Sequence, residues 1–210
     1  MKKDLIIGNF IETPYICKMK TKGEYRGVPW ESEDELWFLF WAFELHNKGI
    51  IETIERAPSF SLTEGLDHEF VIKNSKGKEV TKRQIILRPS HYTPEFLIQW
   101  EQPQYKRFVW VRSATKCDLP LVAHMDGFLI QTYIEVKPDF DRNNMTRLFK
   151  NNQKFMWDKH KIFVNLVKVK ELFEKTFTPS KFLKTKTGKD RKLSYKPITI
   201  EQYLDERTKR

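Results

Sequence analysis

Two stretches of this sequence place acids and an amine at spacings that suit catalysis. From Tyr133 to Lys137 apolar and charged residues alternate as on a β-strand, so Glu135 and Lys137 share one face, about 7 Å apart along it. Another acid, Glu95, lies in a similar aromatic-rich run. A carboxylate and an amine held side by side can bind a divalent metal beside the water that it activates. The two stretches therefore predict a metal-dependent phosphodiesterase site.

Each stretch also has an ordinary structural explanation. Glu95 could be an exposed acid on the wet face of an antiparallel sheet. Glu135 and Lys137 could form a solvated salt bridge, which stabilises little. Their combination favours the catalytic interpretation, because Pro-Glu in one strand and Glu-x-Lys in the next, after a helix that begins with an acid, is a recurring phosphodiesterase layout.

The helix that precedes these strands supplies a third acid. Ser32 and Glu35 have the spacing of a capping box, with further acids in the first turn. The run from Leu36 to Phe43 is apolar on every side, which predicts a helix buried on most faces. Glu35 and Glu44 point in roughly opposite directions, and Glu35 is the one expected at the rim of the sheet. Capping and metal binding compete for its carboxylate.

The rest of the pattern consists of strand-like runs and further helices. A hairpin turn is predicted at residues 74–77, and a polar, basic helix at residues 143–159. Short helices are predicted at residues 170–176 and 200–206. The strand-like runs are Ile50–Glu55, Phe60–Leu62, Glu69–Lys73, Gln84–Arg88, Tyr92–Trp100, Phe108–Arg112, Phe128–Lys137 and Ile162–Val167. This order predicts an α/β fold in which a central mixed or antiparallel sheet is flanked by helices.

At these positions the chain resembles the PD-(D/E)XK nuclease superfamily. Pro94 and Glu95, followed by Glu135, Val136 and Lys137, match its signature, with Glu in place of the commoner Asp at the second acid. The likeness is strongest to small phage-encoded nucleases of the endonuclease I and Holliday junction resolvase type, over about residues 25–170. The resemblance implies a restriction-endonuclease-like core and a structure-specific endodeoxyribonuclease that acts on DNA in phage DNA processing.

The resemblance also implies a division of roles. The implied catalytic residues are Glu35, Glu95, Glu135 and Lys137. Glu95, Glu135 and the Val136 carbonyl would bind one or two Mg²⁺ or Mn²⁺ ions, with Glu35 completing the shell, and hard oxygen donors suit these ions. Lys137 would orient or activate the attacking water and steady the charge that develops on the phosphate.

The separation of the two acids departs from the family pattern. The distance along the chain from Glu95 to Glu135 is longer than usual, which predicts an inserted hairpin or loop at about residues 100–126. Asp118 and Asp126 fall near this insert. Either of them remains an alternative to Glu95 as a metal ligand.

The charge of the chain favours a polyanionic partner. The net charge is +10 and the pI is about 9.5, which favours nucleic acid over an anionic membrane. Residues 175–210 hold eleven Lys and Arg against four Asp and Glu. The predicted DNA-binding residues are Arg147, Lys150 and Lys154 on the basic helix, and Lys181, Lys184, Lys186, Lys189, Arg191 and Lys192 in the tail.

The remaining composition predicts a protein of the cytoplasm, the host cytoplasm if the chain is phage-encoded. Two cysteines, Cys17 and Cys117, form neither a metal-binding pair nor a disulfide framework. We find no signal peptide pattern and no segment that could span a membrane. The predicted division is an N-terminal segment (1–28), a nuclease core (29–176) and a basic C-terminal segment (177–210).

Three functions fit this sequence. The first is a metal-dependent endodeoxyribonuclease specific for branched DNA, acting as a homodimer. The second is a non-catalytic DNA-binding protein that uses the basic helix and the C-terminal tail. The third is a scaffold protein whose aromatic helix forms a dimer interface. The motif set favours the nuclease.

Overall fold

Helix α1 begins where the capping box predicts. The computed structural model describes residues 22–101, 108–110, 121–139, 145–185 and 187–208, and α1 spans Glu33–Asn47. The Ser32 hydroxyl accepts a hydrogen bond from the Glu35 N–H at 3.2 Å. The helix is buried around most of its circumference, as its apolar run predicts. Phe38, Trp41 and Phe43 are buried within the chain, which leaves little of the aromatic surface of α1 for a dimer interface.

Most predicted elements occur in the predicted order, but the strands Gly23–Tyr25, Val28–Trp30, Leu121–Val122 and His124–Asp126 were not predicted. The strand Glu79–Leu87 begins five residues before the predicted run Gln84–Arg88. The elements of the described chain other than α1 follow in sequence order. They are β1 (Gly23–Tyr25), β2 (Val28–Trp30), β3 (Ile51–Arg56), β4 (Phe60–Thr63), β5 (Leu66–Lys73), β6 (Glu79–Leu87), β7 (Ser90–Tyr92), β8 (Phe96–Trp100), β9 (Val109–Trp110), β10 (Leu121–Val122), β11 (His124–Asp126), β12 (Leu129–Val136), α2 (Met145–His160), β13 (Val164–Val167), α3 (Val169–Lys175) and α4 (Ile200–Thr208).

A five-stranded sheet lies at the centre of the fold. Four of its strands follow the order β11-β12-β8-β3. The fifth strand, β13, lies on the same side of β12 as β11: β11 pairs with the first half of β12 and β13 with the second half. The pairs are antiparallel except β12 with β13, which α2 connects as a crossover helix. The chain is therefore α/β with a mostly antiparallel sheet and a few helices. The finer prediction of a restriction-endonuclease-like core stays a prediction.

Helix α1 covers one face of this sheet. The Phe38 ring stacks on Phe96 with centroids 5.3 Å apart, and Trp41 meets Trp100 edge to face at 6.5 Å. The Trp41 indole N–H donates to Thr176 Oγ1 at 3.0 Å, so this buried polar atom is satisfied.

Helix α2 covers the opposite face. Because side chains alternate along a strand, Leu97 and Tyr133 point away from α1. They pack in a second apolar cluster with Phe149 and Met156 of α2. The edge strand β3 still exposes Glu52 and Glu55, whereas Glu135 in the central strand β12 is buried.

One predicted strand is wrong. The run Tyr92–Trp100 is not continuous, because β7 ends at Tyr92 and β8 begins at Phe96. Pro94 lies in the break and has no N–H to donate to a ladder. Glu95 therefore precedes β8 instead of lying inside a strand, although its N–H still donates to the Ile134 carbonyl at 2.9 Å.

The first and last described segments pack on α1. Tyr25 of the β1–β2 hairpin meets Phe40 at 5.0 Å between ring centroids. In the segment predicted as a basic extension, Phe177, Phe182 and Tyr203 are buried in the same core cluster as α1. The predicted division at residue 177 is untested as a domain boundary, but this segment contributes to the core.

The predicted insert contributes to the core where it is described. Phe108, Val109 and Leu121 are buried, and β9 and β10 pair in parallel. Asp118 and both cysteines lie outside the described residues. Among the described helices, none has the length and apolar character needed to cross a bilayer.

Candidate active site

Strand β12 delivers Glu135 and Lys137 to one end of the sheet. Lys137 follows the last residue of the strand, yet its N–H donates to the Val167 carbonyl at 2.9 Å, so the strand geometry continues through it. Pro138 then ends the ladder. The Lys137 ammonium lies 2.6 Å from Glu135 Oε1. The two side chains share one face, as their alternation predicts.

Glu95 joins this pair from the neighbouring strand. Its Oε2 accepts a hydrogen bond from the Val136 N–H at 2.5 Å, and its Oε1 lies 3.6 Å from the Lys137 ammonium. A single ammonium group is thus held between two carboxylates. The side chains of Glu95 and Lys137 remain 17% and 15% exposed, so solvent reaches a site whose walls are mostly protein.

A fourth member, Tyr92, is absent from the sequence prediction. Its hydroxyl donates to Glu135 Oε2 at 2.7 Å, and the residue is buried. Glu135 is therefore fixed through one oxygen by Tyr92 and through the other by Lys137. The sequence carries a signal in the aromatic residue that lies close before Glu95, but nothing there reveals that the break at Pro94 turns its hydroxyl towards Glu135.

With both acids ionised, the site would hold two negative charges and one positive charge. Burial, and next the charge of Glu135, raise the pKa of Glu95 to about 8, although Lys137 and the Val136 N–H act in the opposite direction. Burial lowers the pKa of Lys137, but its contacts with Glu135 and Glu95 more than offset this and the pKa is raised. Burial and the neighbouring Glu135 likewise raise the pKa of the Tyr92 hydroxyl. At neutral pH Lys137 is charged, while Glu95 is largely protonated.

Glu35 is engaged at the start of α1. Its Oε1 accepts from the Ser32 hydroxyl at 3.0 Å, and its Oε2 accepts from the Glu31 N–H and from Arg56, both at 3.0 Å. Among the described residues, no hydrogen bond or ion pair joins it to Glu95, Glu135 or Lys137. Its negative charge nevertheless contributes to the raised pKa of Glu95, which means that the two acids are neighbours.

Arg56 was also missed by the sequence prediction. It lies at the end of β3, forms the ion pair with Glu35, and holds its guanidinium 5.1 Å from the Phe96 ring centroid. Arg56 thereby links the first turn of α1 to the start of β8. Without an assigned register between β3 and β8, the sequence offered no means of placing it there.

The donor atoms at this site suit a hard divalent cation. In an extended strand the N–H and C=O of one residue point to the same side, so the Val136 carbonyl is directed, like its N–H, towards Glu95. Two carboxylates thus contact one ammonium, and the Val136 carbonyl faces the side of β12 on which Glu95 lies. Within the described part of the chain, no group of three or more His, Cys, Asp or Glu is arranged to hold a metal ion. Mg²⁺ fits the smaller set, because it keeps several waters and uses one or two protein carboxylates.

Of the two alternative acids, Asp126 is described and does not reach the site. Asp126 ends β11 opposite Leu129, at the far end of β12 from Glu135. Six residues of strand separate these positions, a distance of about 20 Å. Asp126 is therefore excluded as a replacement for Glu95, and Asp118 lies outside the described residues.

The basic helix presents its cations to solvent. Arg147, Lys150 and Lys154 of α2 are all exposed. Their spacing of three and four residues places them on neighbouring positions of one helix face. Their roles in DNA binding stay predictions.

Two of the tail cations contact aromatic rings. The Lys181 ammonium lies 4.7 Å from the Tyr25 ring centroid, and the Arg191 guanidinium lies 4.9 Å from that of Trp37. These side chains help to attach the C-terminal segment to the β1–β2 hairpin and to α1.

The other tail cations differ in their surroundings. Lys184 pairs with Asp190 at 2.5 Å. Lys189 and Lys192 are exposed, and Lys186 lies outside the described residues. The tail therefore offers fewer free cations than its composition predicts.

Comparisons of the chain with protein-family models, curated proteins and solved structures found no match. The function therefore has to be argued from the geometry of the site.

Proposed function

We propose that this chain is a Mg²⁺- or Mn²⁺-dependent endodeoxyribonuclease of the PD-(D/E)XK type, which hydrolyses phosphodiester bonds in branched DNA. The observation that supports it most is the Lys137 ammonium held between Glu135 and Glu95 at the end of two paired strands. A surface salt bridge would leave the lysine in water. Here the side chains of Glu95, Glu135 and Lys137 are mostly buried, and one ammonium forms ion pairs with both carboxylates.

The residues that would hold the cation are Glu95, Glu135 and the Val136 carbonyl. When bound, the cation would polarise the scissile phosphate and lower the pKa of the attacking water. The Lys137 ammonium contacts both carboxylates that would hold the cation. From that position it can orient the attacking water and stabilise negative charge on the phosphate oxygens. Attack forms one P–O bond, one ester P–O bond breaks, and the departing oxygen takes a proton.

In the free site, the proton on Glu95 would replace the charge of the cation. The raised pKa of Glu95 means that the free site takes up a proton in place of a second positive charge. Cation binding would release that proton, since ligating carboxylates must be ionised. The Tyr92 hydroxyl would hold the Glu135 carboxylate in one orientation.

The fold is compatible with the proposed superfamily. In a restriction-endonuclease-like core we expect an N-terminal helix on one face of the sheet, acids at one end of adjacent strands, and a crossover helix after the Glu-x-Lys strand. The positions of α1, β8, β12 and α2 support this assignment. The exposed cations of α2 would contact DNA phosphates.

The first experiment is cleavage of a labelled four-way DNA junction and a matched linear duplex, in Mg²⁺, in Mn²⁺ and in EDTA. The wild-type chain is compared with Lys137→Ala and with the matched control Lys48→Ala. Lys48 pairs with Glu201 at 2.6 Å at the other end of α1, so the control removes an equal charge outside the site. We expect cation-dependent cleavage of the junction that Lys137→Ala abolishes and Lys48→Ala preserves.

Each of the other possible results would remove a different part of the proposal. Cleavage of both DNA substrates keeps the nuclease and removes the specificity for branches. Cleavage that persists in EDTA or in Lys137→Ala contradicts the proposed site. Salt-sensitive DNA binding without any cleavage would instead support a non-catalytic DNA-binding protein that uses α2 and the C-terminal segment.

A further inference from the structure

The β5–β6 hairpin is the most exposed part of the described chain. All nine residues of β6 are exposed, and so are most of those in β5. The two strands pair with each other along their whole length and form no extensive contact with another described element. A two-stranded hairpin alone is at best marginally stable in water. An element of this kind contributes little to the core, which indicates a role in binding a partner.

The outer half of the hairpin is strongly basic. Between residues 73 and 83 there are five Lys and Arg and one acid, Glu79. Arg83 pairs with Asp67. In the region that the structure describes, the other four cations form no ion pair. They are Lys73, Lys76, Lys78 and Lys82.

The turn at the tip holds two of these cations in place. Asn74 Oδ1 accepts hydrogen bonds from the main-chain N–H groups of Lys76, at 2.9 Å, and Lys78, at 3.0 Å. Gly77 lies between them with φ +73°, a conformation that favours glycine. The backbone of the tip is therefore fixed, while both ammonium groups extend into solvent.

The base of the hairpin is close to the candidate active site. Five residues lead from Leu87, the end of β6, to Tyr92, whose hydroxyl bonds to Glu135. A chain of five residues spans at most about 18 Å. Strand β5 has eight residues and is about 26 Å long. DNA bound at the site would pass within reach of the hairpin.

We propose that the β5–β6 hairpin is a DNA-binding arm, whose basic outer half contacts the phosphates of the duplex that flanks the bound substrate. A two-stranded ribbon has the dimensions to enter the major groove. This inference rests on the proposed function, because the DNA in question is the nuclease substrate. It adds an interface that the sequence prediction did not include.

The distribution of residues favours DNA over a second copy of the chain. Four exposed apolar side chains, Leu66, Ile85, Ile86 and Leu87, cluster at the base of the hairpin. The outer half carries the free cations together with the exposed side chains of Val71 and Val80. Two copies that paired through their arms would bring these cations together, and like charges repel. A polyanion removes the repulsion.

The test compares two double variants of the full-length chain that remove the same charge. Lys76→Ala/Lys78→Ala acts at the tip, and Lys175→Ala/Lys196→Ala removes two exposed lysines elsewhere. Binding to a labelled linear duplex is measured by fluorescence anisotropy in EDTA, over a series of salt concentrations. We expect the tip variant to bind roughly tenfold more weakly and its logarithmic salt slope to become shallower by about 2, since each phosphate contact contributes about 0.9. The control should keep the wild-type slope.

The contrary results are distinct from failure of the nuclease proposal. Equal salt slopes for the tip variant and the control would contradict the proposal that the hairpin binds DNA. So would an Ile85→Ser variant that changes the sedimentation behaviour of the chain while the tip variant binds DNA normally, because the hairpin is then a protein interface. If wild type cleaves DNA and the tip variant binds normally, only the arm is lost. If wild type neither binds nor cleaves DNA, both proposals fail.

Discussion

Two acids, the buried Glu35 at the start of α1 and the partly buried Glu95 before β8, lie near each other in very different surroundings. Glu35 receives hydrogen bonds from Ser32, from a main-chain N–H and from Arg56. Glu95 shares the Lys137 ammonium with Glu135, and its pKa is raised to about 8. The more buried acid is thus fully satisfied, while the more exposed one has too little positive charge beside it.

This difference separates a structural role from a catalytic one. Where hydrogen-bond donors and positive charge match a carboxylate, removing the carboxylate damages the fold. Where hydrogen-bond donors and positive charge do not match the carboxylate, its ionised form destabilises the fold. Such acids concentrate at functional sites. The variants below test this contrast.

The largest effect is expected on removing the charge of Glu135. We expect Glu135→Gln to lower the cleavage rate by about 10²–10³-fold, because a cation ligand and the partner of Lys137 are both lost. It should also abolish the stabilisation by Mn²⁺. For wild type this stabilisation reaches about 2.7 kcal/mol at one hundred times the Kd.

Thermal unfolding with and without Mn²⁺ measures the second effect independently of activity. Glu201→Gln, which removes an exposed acid paired with Lys48, is the matched control and should behave as wild type in both assays. Undiminished Mn²⁺ stabilisation in Glu135→Gln would mean that the cation binds elsewhere.

The next largest effect concerns Glu35. Glu35→Ala removes the capping carboxylate and leaves Arg56 without its partner, so we expect the unfolding free energy to fall by about 2–4 kcal/mol. Denaturant unfolding measures it.

Glu35→Gln distinguishes the capping role from the catalytic one. Gln fits a capping box, so this variant should remain folded. If it is folded but cleaves about 10²-fold more slowly, Glu35 completes the metal shell as the family resemblance implies. A rate near that of wild type assigns Glu35 to the fold alone.

Much of the fold could be predicted because its signals are local. The capping box located the start of α1, the all-apolar run predicted its burial, and alternation placed Glu135 and Lys137 on one face. The break at residues 93–95 was missed, because a proline inside an aromatic-rich run also fits an edge strand. The burial of the C-terminal segment was missed because its lysines dominate the composition, while Phe177 and Phe182 supply the packing.

The site was only partly predictable, because its contacts connect residues far apart in sequence. The identities of Glu95 and Lys137 follow from a motif. The bonds from Tyr92 to Glu135 and from Arg56 to Glu35 depend on strand register and on the position of α1, which no local pattern contains. Likewise, tail lysines that contact rings or acids cannot be told from free ones by composition.

The third effect is a pH-dependent gain of stability in Glu95→Gln. The folded chain holds the Glu95 proton up to about pH 8, whereas the unfolded chain releases it near 4.5, so the wild-type contribution to the unfolding free energy falls as pH rises between these values. Gln mimics the protonated acid. In EDTA we therefore expect equal stability at about pH 4 and a gain of roughly 2–4 kcal/mol for the variant at about pH 9.

Denaturant unfolding across this pH range is the measurement, and Glu201→Gln again supplies the control. The pKa of Glu201 is lowered by its hydrogen bond to Lys48, so its loss should act in the opposite direction, and weakly because the pair is exposed. A gain for Glu95→Gln that does not vary with pH would show that Glu95 is not the titrating group.

The smallest effect is expected for Tyr92→Phe, and it tests whether the site depends on how firmly Glu135 is held. The substitution keeps the buried ring and removes one hydrogen bond to a charged acceptor, which costs about 1–3 kcal/mol of stability. Glu135 keeps Lys137 as a partner, so cation binding should persist while the cleavage rate falls by roughly tenfold through loss of orientation. Tyr133→Phe is the control, since Tyr133 lies in the same apolar cluster as Tyr92. If both variants cleave at the wild-type rate, the Tyr92 hydroxyl contributes to the fold, and the site proper consists of Glu95, Glu135 and Lys137.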